Sequence, residues 1–319
     1  MSSLRFLQLH REDDHAVRAE LAAGLAETPP RVSPKFLYDA LGSRLFEAIT
    51  ELPEYYPTRT ERLIFETHRQ AIAEAVGRGR TLVDLGAGNG EKAAAWFEAL
   101  APRQYVAVDI SVDHLRHALA SLQQRHPGLP MLGLGVDFAD SLHLPPEVGP
   151  GDRLLFYPGS SIGNFTPDQA LRFLRDAHRE AQGGGLLIGV DLVKDKALLD
   201  AAYDDPLQVT AAFNRNLLRR LSRLLGCDAD VADFEHVAFY EPRQQRIEMH
   251  LQARRALELR WPGGHRVLAA GERIHTENSY KHTVEGFAGL LRDAGFGAVR
   301  HWTDPQHWFA VFSAAAAPA

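Results

Sequence analysis

The residues with the clearest chemical potential form a glycine-rich stretch at positions 81–92, TLVDLGAGNGEK. Apart from Asp84, its first five residues are apolar or β-branched, which is typical of a strand buried on both faces. Three glycines follow within five positions, and the residues after them favour a helix. A strand that leads through glycines into a helix N-terminus indicates a ligand site, because glycine lets the backbone approach closely and the first helical turn has free N–H groups.

The spacing of these glycines favours one class of ligand. Gly86, Gly88 and Gly90 follow the pattern Gly-x-Gly-x-Gly, whereas dinucleotide-binding folds place Gly-x-Gly-x-x-Gly around a pyrophosphate. Asp84 precedes the glycines, and we expect its carboxylate to repel a pyrophosphate and to pair with a cationic ligand. S-adenosylmethionine carries a positive amine and a positive sulfonium, so the stretch favours this ligand over a nicotinamide dinucleotide.

Further polar residues follow the next predicted strands. Asp109 ends the second strand about 20 residues after the glycines, a position that commonly binds ribose hydroxyls. Asp137 and Phe138 follow the third strand, and an acid beside an aromatic ring suits an adenine. Residues 159–164 follow the fourth strand, and Asp191 belongs to the fifth. Because ligands of open α/β sheets bind beyond the carboxyl ends of the strands, we predict that these residues lie at one S-adenosylmethionine site.

The elements that position these residues alternate between strand and helix from residue 81 onward. This alternation predicts an α/β fold with a Rossmann-like, doubly wound parallel sheet. The predicted strands are 81–85, 105–110, 131–136, 153–157 and 186–193. The predicted helices are 91–100, 112–125 and 167–181, the last with Thr166 as its N-cap and Pro167 at its first position.

The rest of the chain predicts a second, substrate-binding α+β lobe. Residues 1–61 read as helices with proline-rich loops, and Thr60 is expected to cap a helix over 61–76. Residues 194–281 contain two predicted helices and then a β-rich piece, in which 246–253 alternates as a strand. We therefore predict a cofactor-binding domain of 62–193 plus 282–319 and a substrate-binding lobe of 1–61 plus 194–281.

Composition excludes several classes of partner. The 319 residues include 35 basic and 41 acidic ones, a net charge of −6, so we expect no nucleic acid and no membrane as a partner. The one cysteine, Cys227, fits a reducing compartment, and no apolar stretch approaches the roughly 20 residues of a membrane span. The fifteen histidines show no zinc-ligand spacing, so we expect no metal site. We expect a cytoplasmic monomer.

Several blocks of the sequence, in both predicted parts, resemble the histidine-specific Nα-methyltransferases of ergothioneine biosynthesis. They lie at 52–61 (LPEYYPTRTE), 159–164 (GSSIGN), 191–195 (DLVKD), 202–205 (AYDD), 210–216 (TAAFNRN) and 246–249 (RIEM). The resemblance extends from about Tyr38 to Trp308 and includes blocks outside the cofactor fold that unrelated methyltransferases share. It is therefore specific to this family.

The resemblance implies trimethylation of the α-amino group of L-histidine to hercynine, with three S-adenosylmethionine molecules converted to S-adenosylhomocysteine. It implies that the cofactor contacts five residues, Gly86, Lys92, Asp109, Asp137 and Phe138. The implied contacts of the substrate are Asn164 and Tyr203 for the carboxylate, Tyr38, Phe46 and Gly159 around the reacting amine, and Tyr56, Met249, Glu277 and Ser279 for the imidazole.

These residue types suit the implied chemistry. Methyl transfer is an in-line displacement, so the protein mainly aligns the reactants and excludes water. The amine must be neutral, and a free α-amino group has a pKa of about 8. A phenol such as Tyr38 can accept a hydrogen bond from the amine, Gly159 leaves room for added methyl groups, and the aromatic faces of Tyr38 and Phe46 suit a cationic product.

The segment 274–281 departs from the commoner family pattern at Asn278 and Tyr280. By strand alternation Asn278 points away from Glu277 and Ser279, so the departure leaves the implied imidazole contacts intact. Related enzymes that act on tryptophan-type substrates lack the Met249 and Glu277 pair, which favours histidine for this chain.

Three alternatives remain open at this point. The same chemistry could act on tryptophan, tyrosine or a histidine-derived metabolite. A protein that binds S-adenosylmethionine without turnover would keep the cofactor residues and lose the amine pocket, yet Tyr38, Asn164 and Tyr203 are all present. A nicotinamide dehydrogenase is disfavoured by the glycine spacing.

Overall fold

The computed structural model describes residues 4–9, 13–110, 112–138 and 141–316. From the N-terminus to the end of the parallel strands, the elements are β1 (Arg5–Gln8), α1 (Asp14–Ala26), α2 (Ala40–Thr50), α3 (Tyr56–Thr67), α4 (Arg69–Val76), β2 (Thr81–Leu85), α5 (Glu91–Ala94), α6 (Phe97–Leu100), β3 (Gln104–Asp109), α7 (Val112–Arg125), β4 (Met131–Gly135), β5 (Arg153–Tyr157), α8 (Pro167–Ala181) and β6 (Gly185–Asp191). The remaining elements are α9 (Lys196–Tyr203), α10 (Val209–Leu225), β7 (Phe234–Glu241), β8 (Arg246–Ala253), β9 (Leu257–Trp261), β10 (Gly264–Leu268), β11 (Arg273–Tyr280), α11 (Val284–Asp293), β12 (Gly297–Thr303) and β13 (Phe309–Ala315).

The chain divides into two compact units, which are described separately. Unit 1 comprises the described residues within Met1–Arg11, Arg59–Leu192 and His282–Ala319, and unit 2 those within Glu12–Thr58 and Val193–Lys281. None of the helices in the described ranges combines the length and the apolar character that crossing a membrane requires.

Unit 1 is built on an eight-stranded sheet of order β1-β4-β3-β2-β5-β6-β13-β12. The first six of these strands are parallel to one another, and β13 runs antiparallel to β6. Strands β2, β4, β5 and β6 are buried along their whole length, because helices cover both faces of the sheet. The strand order reverses between β2 and β5, so the residues that follow these two strands lie at the switch point where such sheets bind ligands. The predicted Rossmann-like α/β fold is confirmed.

Unit 2 combines helices with two small antiparallel sheets. Strands β7, β8 and β11 pair in the order β11-β8-β7, and β9 pairs with β10 as a hairpin. Helices α9 and α10 pack against β7 and β8, and α10 also packs against α1 and α2. The inner face of β8 carries Ile247, Met249 and Leu251, all at most 1% exposed, opposite the outer Glu248 and His250. This alternation is the one that the sequence predicts for 246–253.

The N-terminal prediction of helices alone is wrong, because β1 is a strand of the unit 1 sheet. It pairs with β4 in parallel, with Phe6 opposite Gly133. A Cβ atom at Gly133 would lie 2.6 Å from the Phe6 ring, so glycine makes room for this aromatic side chain. The prediction places residues 5–8 in the substrate-binding lobe of 1–61, whereas β1 pairs within the sheet of unit 1.

Two helix predictions also need correction. The predicted helix 91–100 is two short helices, since Trp96 N–H bonds to the carbonyl three residues back at Ala93 and its ring is buried edge-on against Phe65 at 5.2 Å. The helix predicted to start after Thr60 begins at Tyr56 instead. Pro57 lies in its first turn, where a backbone N–H has no intrahelical partner and proline is tolerated.

Candidate active site

In unit 1 the glycine turn after β2 has a backbone that only glycine adopts readily. Gly86, Gly88 and Gly90 have φ angles of +72°, +53° and +72°. Gly88 N–H donates to Asp109 Oδ2 at 3.0 Å, which joins the turn to the end of the neighbouring strand β3. The Phe138 ring lies 4.0 Å from the position that a Gly86 side chain would take. Gly86, Asp109 and Phe138, three predicted cofactor residues, are thus brought together.

Asp84 lies in β2 as predicted and makes a hydrogen bond that the sequence did not indicate. It is 2% exposed, and its Oδ2 accepts a hydrogen bond from the Tyr105 hydroxyl at 2.8 Å. Burial raises the pKa of Asp84 to about 7, against the opposing effects of Tyr105 and Lys92. The Tyr105 oxygen lies 3.0 Å from where a Gly90 side chain would be. Asp84 therefore supports the turn from the protein interior through its Oδ2, and its contact with a cationic ligand stays a prediction.

A buried carboxylate that sequence reasoning did not assign links two predicted site residues. Glu61 on α3 is 1% exposed; its Oε2 is 2.8 Å from Lys92 Nζ, and its Oε1 accepts the Gly159 N–H at 2.7 Å. A Cβ atom at Gly159 would lie 3.3 Å from Lys92 Nζ, so these residues form one cluster. The sequence carries one trace of this arrangement, a glycine inside strand β6, because glycine within a strand often marks a close approach by another group. In the structure a Cβ atom at Gly189 would lie 2.0 Å from Glu61 Oε1.

The loop after β5 lies at the switch point and contains Asn164, another predicted site residue of unit 1. Ser160 has a φ of +58°, and its Oγ accepts the Asp191 N–H at 2.8 Å, which fixes the loop to the end of β6. Asn164 ends the 3-10 turn Ser161–Asn164 and is half-buried. Outside this loop, Asp137 lies two residues after the end of β4 and is also half-buried.

In unit 2 a run of aromatic rings surrounds Tyr38. Its ring makes edge-on contacts with Phe46 at 5.6 Å and Phe213 at 5.4 Å. Phe46 contacts Tyr55 at 6.1 Å, and Tyr55 contacts Tyr203 at 6.2 Å. These aromatic faces offer a surface that attracts an organic cation.

The backbone around Tyr38 is fixed by the next residue. Asp39 is the N-cap of α2, and its Oδ1 accepts the Gly42 N–H at 2.8 Å and the Asn216 side-chain amide at 2.8 Å. The cap satisfies a free N–H of the helix and also ties α2 to α10. The position of Tyr38 is therefore set by a hydrogen-bonded anchor and not by ring packing alone.

Tyr203, Ser279 and Lys281 form a buried polar cluster, with exposures of 8%, 5% and 2%. The Tyr203 hydroxyl donates to Ser279 Oγ at 2.8 Å. Lys281 Nζ donates to Ser279 Oγ at 2.7 Å and to the Tyr203 oxygen at 3.1 Å. The sequence singled out Tyr203 and Ser279, and it gave no role to the lysine that joins them.

Glu277 and Met249 lie directly opposite each other on paired strands β11 and β8. Glu277 is 6% exposed, and within the described ranges its Oε2 is buried without a hydrogen-bond partner. Burial raises the pKa of Glu277 to about 7, and Lys281 acts in the opposite direction. A buried carboxylate of this kind can accept a hydrogen bond from a ligand N–H.

A β-bulge decides which way Glu277 points. The register shifts between His275 and Glu277, so Thr276 is an extra residue in the strand. Its hydroxyl donates to the Met249 carbonyl at 3.0 Å. After the bulge Glu277 and Ser279 are buried and Asn278 is half-buried, hydrogen-bonded to His275. The prediction that Asn278 points away from Glu277 and Ser279 is confirmed.

Tyr56 also lies in unit 2, at the start of α3. Its ring is 1% exposed, its hydroxyl accepts a hydrogen bond from Lys194 Nζ at 2.8 Å, and the same nitrogen lies 4.4 Å from the ring centroid. Gly159 and Asn164 belong to unit 1, whereas Tyr38 and Tyr203, with which the resemblance groups them, belong to unit 2. The combined substrate contacts therefore stay a prediction.

Among the described residues, no group of three or more histidine, cysteine, aspartate or glutamate side chains could hold a metal ion. The groups that the structure does assemble are a glycine turn with an acid and an aromatic ring in unit 1, and a buried carboxylate, hydroxyls and aromatic faces in unit 2. They suit a nucleoside-containing ligand and a small polar molecule with an amine, respectively.

Comparison with known proteins agrees with this chemistry. A family model described as histidine-specific methyltransferase, SAM-dependent, matches residues 17–316. The histidine N-alpha-methyltransferase of Mycolicibacterium smegmatis is 42% identical over 93% of this chain and 94% of that protein. The protein of the same name from Mycobacterium tuberculosis is 39% identical over 94% of this chain and 95% of that protein. Ergothioneine biosynthesis protein 1 of Neurospora crassa is 30% identical over 86% of this chain and 32% of that protein. The chain belongs to the family of histidine-specific, S-adenosylmethionine-dependent methyltransferases.

Proposed function

We propose that this protein transfers three methyl groups from S-adenosylmethionine to the α-amino nitrogen of L-histidine, which yields hercynine for ergothioneine biosynthesis. Membership of the family supports methyl transfer, and the names of the mycobacterial and Neurospora relatives support the acceptor and the pathway.

The observation that carries the choice of acceptor is Glu277. Its carboxylate is buried, has a free acceptor atom and lies opposite the apolar side chain of Met249. A buried acceptor without a partner is costly, and the N–H of an imidazole would remove that cost. In the proposed complex Met249 packs against the ring, and Tyr56 and Ser279 complete its polar contacts.

The residues of unit 1 fit the proposed cofactor. S-adenosylmethionine, when bound, supplies an electrophilic methyl group on a positively charged sulfur. In our proposal the backbone at Gly86 approaches the cofactor closely, Asp109 accepts from its ribose hydroxyls, and Asp137 and Phe138 bind its adenine. Lys92 forms an ion pair with the carboxylate of the cofactor, and the ion pair between Glu61 and Lys92 holds the lysine in position.

The residues around the amine need only orient it and tolerate its growing charge. We propose that Tyr38 accepts a hydrogen bond from the neutral amine, which directs the nitrogen lone pair away from the tyrosine. After each of the first two transfers the amine loses a proton and is neutral again, whereas the third transfer leaves a quaternary ammonium with a permanent positive charge. The faces of Tyr38 and Phe46 stabilise this charge. Gly159 leaves room for the methyl groups, and Asn164 with Tyr203 holds the substrate carboxylate.

Titration calorimetry tests the acceptor directly. L-histidine is added to the protein saturated with S-adenosylhomocysteine, and L-tryptophan and L-tyrosine are added in parallel. We expect histidine to bind at least about tenfold more tightly than the other two, because only histidine matches the Glu277 acceptor. Mass spectrometry after incubation with S-adenosylmethionine should then find three added methyl groups. Binding of another amino acid in place of histidine would overturn the proposal.

A further inference from the structure

We propose that Lys281 is a positioning residue that makes the site select amino acids with a free carboxylate, through the hydroxyl groups of Tyr203 and Ser279. This inference rests on the proposed function, in which Tyr203 serves the substrate carboxylate. It adds that the site discriminates between free amino acids and their amides or decarboxylated amines. It also names Lys281 as the residue that determines this preference.

The first observation is the burial of a lysine with defined contacts. Lys281 is 2% exposed, and lysine is almost never fully buried unless it is paired. Its Nζ lies 2.7 Å from Ser279 Oγ, 3.1 Å from the Tyr203 oxygen and 4.8 Å from the centroid of the Tyr203 ring. The ammonium is therefore held against the two hydroxyl groups and not directed into solvent.

The second observation is a count of protons in this cluster. An ammonium group only donates, so the oxygens of both Tyr203 and Ser279 accept from Lys281. One of the two hydroxyl protons is used in the hydrogen bond between Tyr203 and Ser279. Hydroxyl hydrogens rotate, so in the proposed complex Ser279 donates to the Tyr203 oxygen, and the Tyr203 proton is left for the substrate carboxylate. Lys281 thus turns the hydroxyl pair into a net hydrogen-bond donor with a positive charge behind it, which suits a carboxylate oxygen.

The third observation is the order of charges along β11 and the residue that follows it. After the bulge at Thr276, Glu277 and Ser279 are buried in β11, and Lys281, directly after the strand, has its Nζ 2.7 Å from Ser279 Oγ. This segment therefore presents an anion, a hydroxyl and a cation in sequence. An amino acid whose side-chain N–H meets Glu277 has its carboxylate toward the Lys281 end. The same row would repel a molecule bound in the reverse orientation.

The experiment compares L-histidine with L-histidinamide, in which the carboxylate is a neutral amide. Dissociation constants for both are measured by calorimetry at pH 8 with S-adenosylhomocysteine present, for the unmodified protein, Lys281→Met and Lys281→Arg. We expect the preference for histidine over histidinamide to fall about tenfold in Lys281→Met, because a charge-assisted contact to the carboxylate is lost. Lys281→Arg keeps the cation and should retain most of the preference.

Lys194→Met is the matched control. Lys194 also donates to a tyrosine hydroxyl in unit 2, that of Tyr56, which the proposed function assigns to the imidazole. Its loss should change the affinity for both molecules equally and leave their ratio within about twofold. A ratio that falls equally in Lys194→Met and Lys281→Met would contradict the inference.

Two outcomes separate this inference from the proposed function. If the unmodified protein does not bind histidine, the proposed function fails. If it binds histidine but Lys281→Met keeps the full preference over histidinamide, only the role of Lys281 fails. Should Lys281→Met not fold by circular dichroism, Lys281→Gln gives the same comparison, since its amide can still donate to both hydroxyl oxygens without a charge.

Discussion

Replacement of Glu277 by glutamine should stabilise the ligand-free protein at high pH and weaken histidine binding at the same time. The carboxylate is 6% exposed, and its Oε2 is buried without a hydrogen-bond partner among the described residues. Burial raises its pKa from 4.5 to about 7, which means that folding favours the protonated form. Glutamine resembles that neutral form at every pH. The two effects of the substitution therefore have opposite signs.

The size of the stability change follows from proton linkage. A pKa higher in the folded state contributes stability that is fully present below pH 4.5 and is lost as the pH rises through 7. At about 1.4 kcal/mol for each unit of pKa, the loss is about 1 kcal/mol near pH 5 and about 3 kcal/mol near pH 8. The buried amide that Glu277→Gln introduces carries a cost of its own, but that cost is the same at both pH values. The cost of the amide therefore cancels in the difference between the two conditions, which is about 2 kcal/mol.

Differential scanning calorimetry at pH 5 and pH 8 measures this difference. For a chain of 319 residues, 1 kcal/mol corresponds to about 1.5 °C in Tm. The change in Tm caused by Glu277→Gln should therefore be about 3 °C more positive at pH 8 than at pH 5. Titration with L-histidine should show an affinity at least about tenfold lower, since a charged acceptor for the imidazole N–H is gone.

Glu248→Gln is the matched control on the neighbouring strand. Burial alone would raise the pKa of Glu248, but hydrogen bonds from Arg246 and His250 hold it below its usual value. Its stabilisation is present above pH 4.5, so Glu248→Gln should lower Tm at both pH values. Equal effects of Glu277→Gln at pH 5 and pH 8 would refute the burial of an unpartnered carboxylate. Unchanged histidine affinity would refute its role in binding.

Three further substitutions test other parts of the site. Asp109→Asn should weaken S-adenosylhomocysteine binding about tenfold in calorimetry while the protein stays folded, because the amide oxygen can still accept the Gly88 N–H but carries no charge. Gly159→Ala should lower Tm by about 1–2 °C and slow turnover, because Gly159 has a φ of +79° and the new Cβ atom would lie 3.3 Å from Lys92 Nζ. Unchanged turnover would argue against a crowded amine pocket. Met249→Val should weaken the binding of histidine by about 1 kcal/mol and lower the ratio of its affinity to that of tryptophan, as measured by competition.

The fold was largely predictable where local signals agree with burial. Helix α8 has the predicted bounds 167–181, because Thr166 and Gln169 form a capping box and Pro167 occupies the first position. Strand β8 has the predicted bounds 246–253, since its alternation matches one fully buried face and a second face on which only His250 is buried. Strand β1 was missed because a four-residue edge strand depends on a distant partner, Gly133, which leaves no mark in the local sequence.

The arrangement of the glycine turn beside Asp109 was predictable, because it follows from a strand, a turn and the end of the next strand. Glu61 was not predictable from local pattern. Its partners Lys92 and Gly159 are separated from it by 31 and 98 residues, and only the fold brings them together. The hydrogen bond of Asp84 was not predicted for a similar reason, since its partner Tyr105 comes from the neighbouring strand.

The direction of Glu277 depends on the bulge, which the sequence did not reveal. Regular alternation from the buried Ile274 would put residues 276, 278 and 280 on the inner face and Glu277 on the outer one. The extra residue Thr276 inverts that order, so that a carboxylate becomes buried opposite Met249. Burial without a partner destabilises the free protein, whereas the same burial strengthens a hydrogen bond to a ligand N–H. The burial of Glu277 therefore lowers the stability of the ligand-free protein and raises its affinity for a ligand. A ligand N–H that donates to Glu277 supplies the missing hydrogen bond and removes the cost of burial.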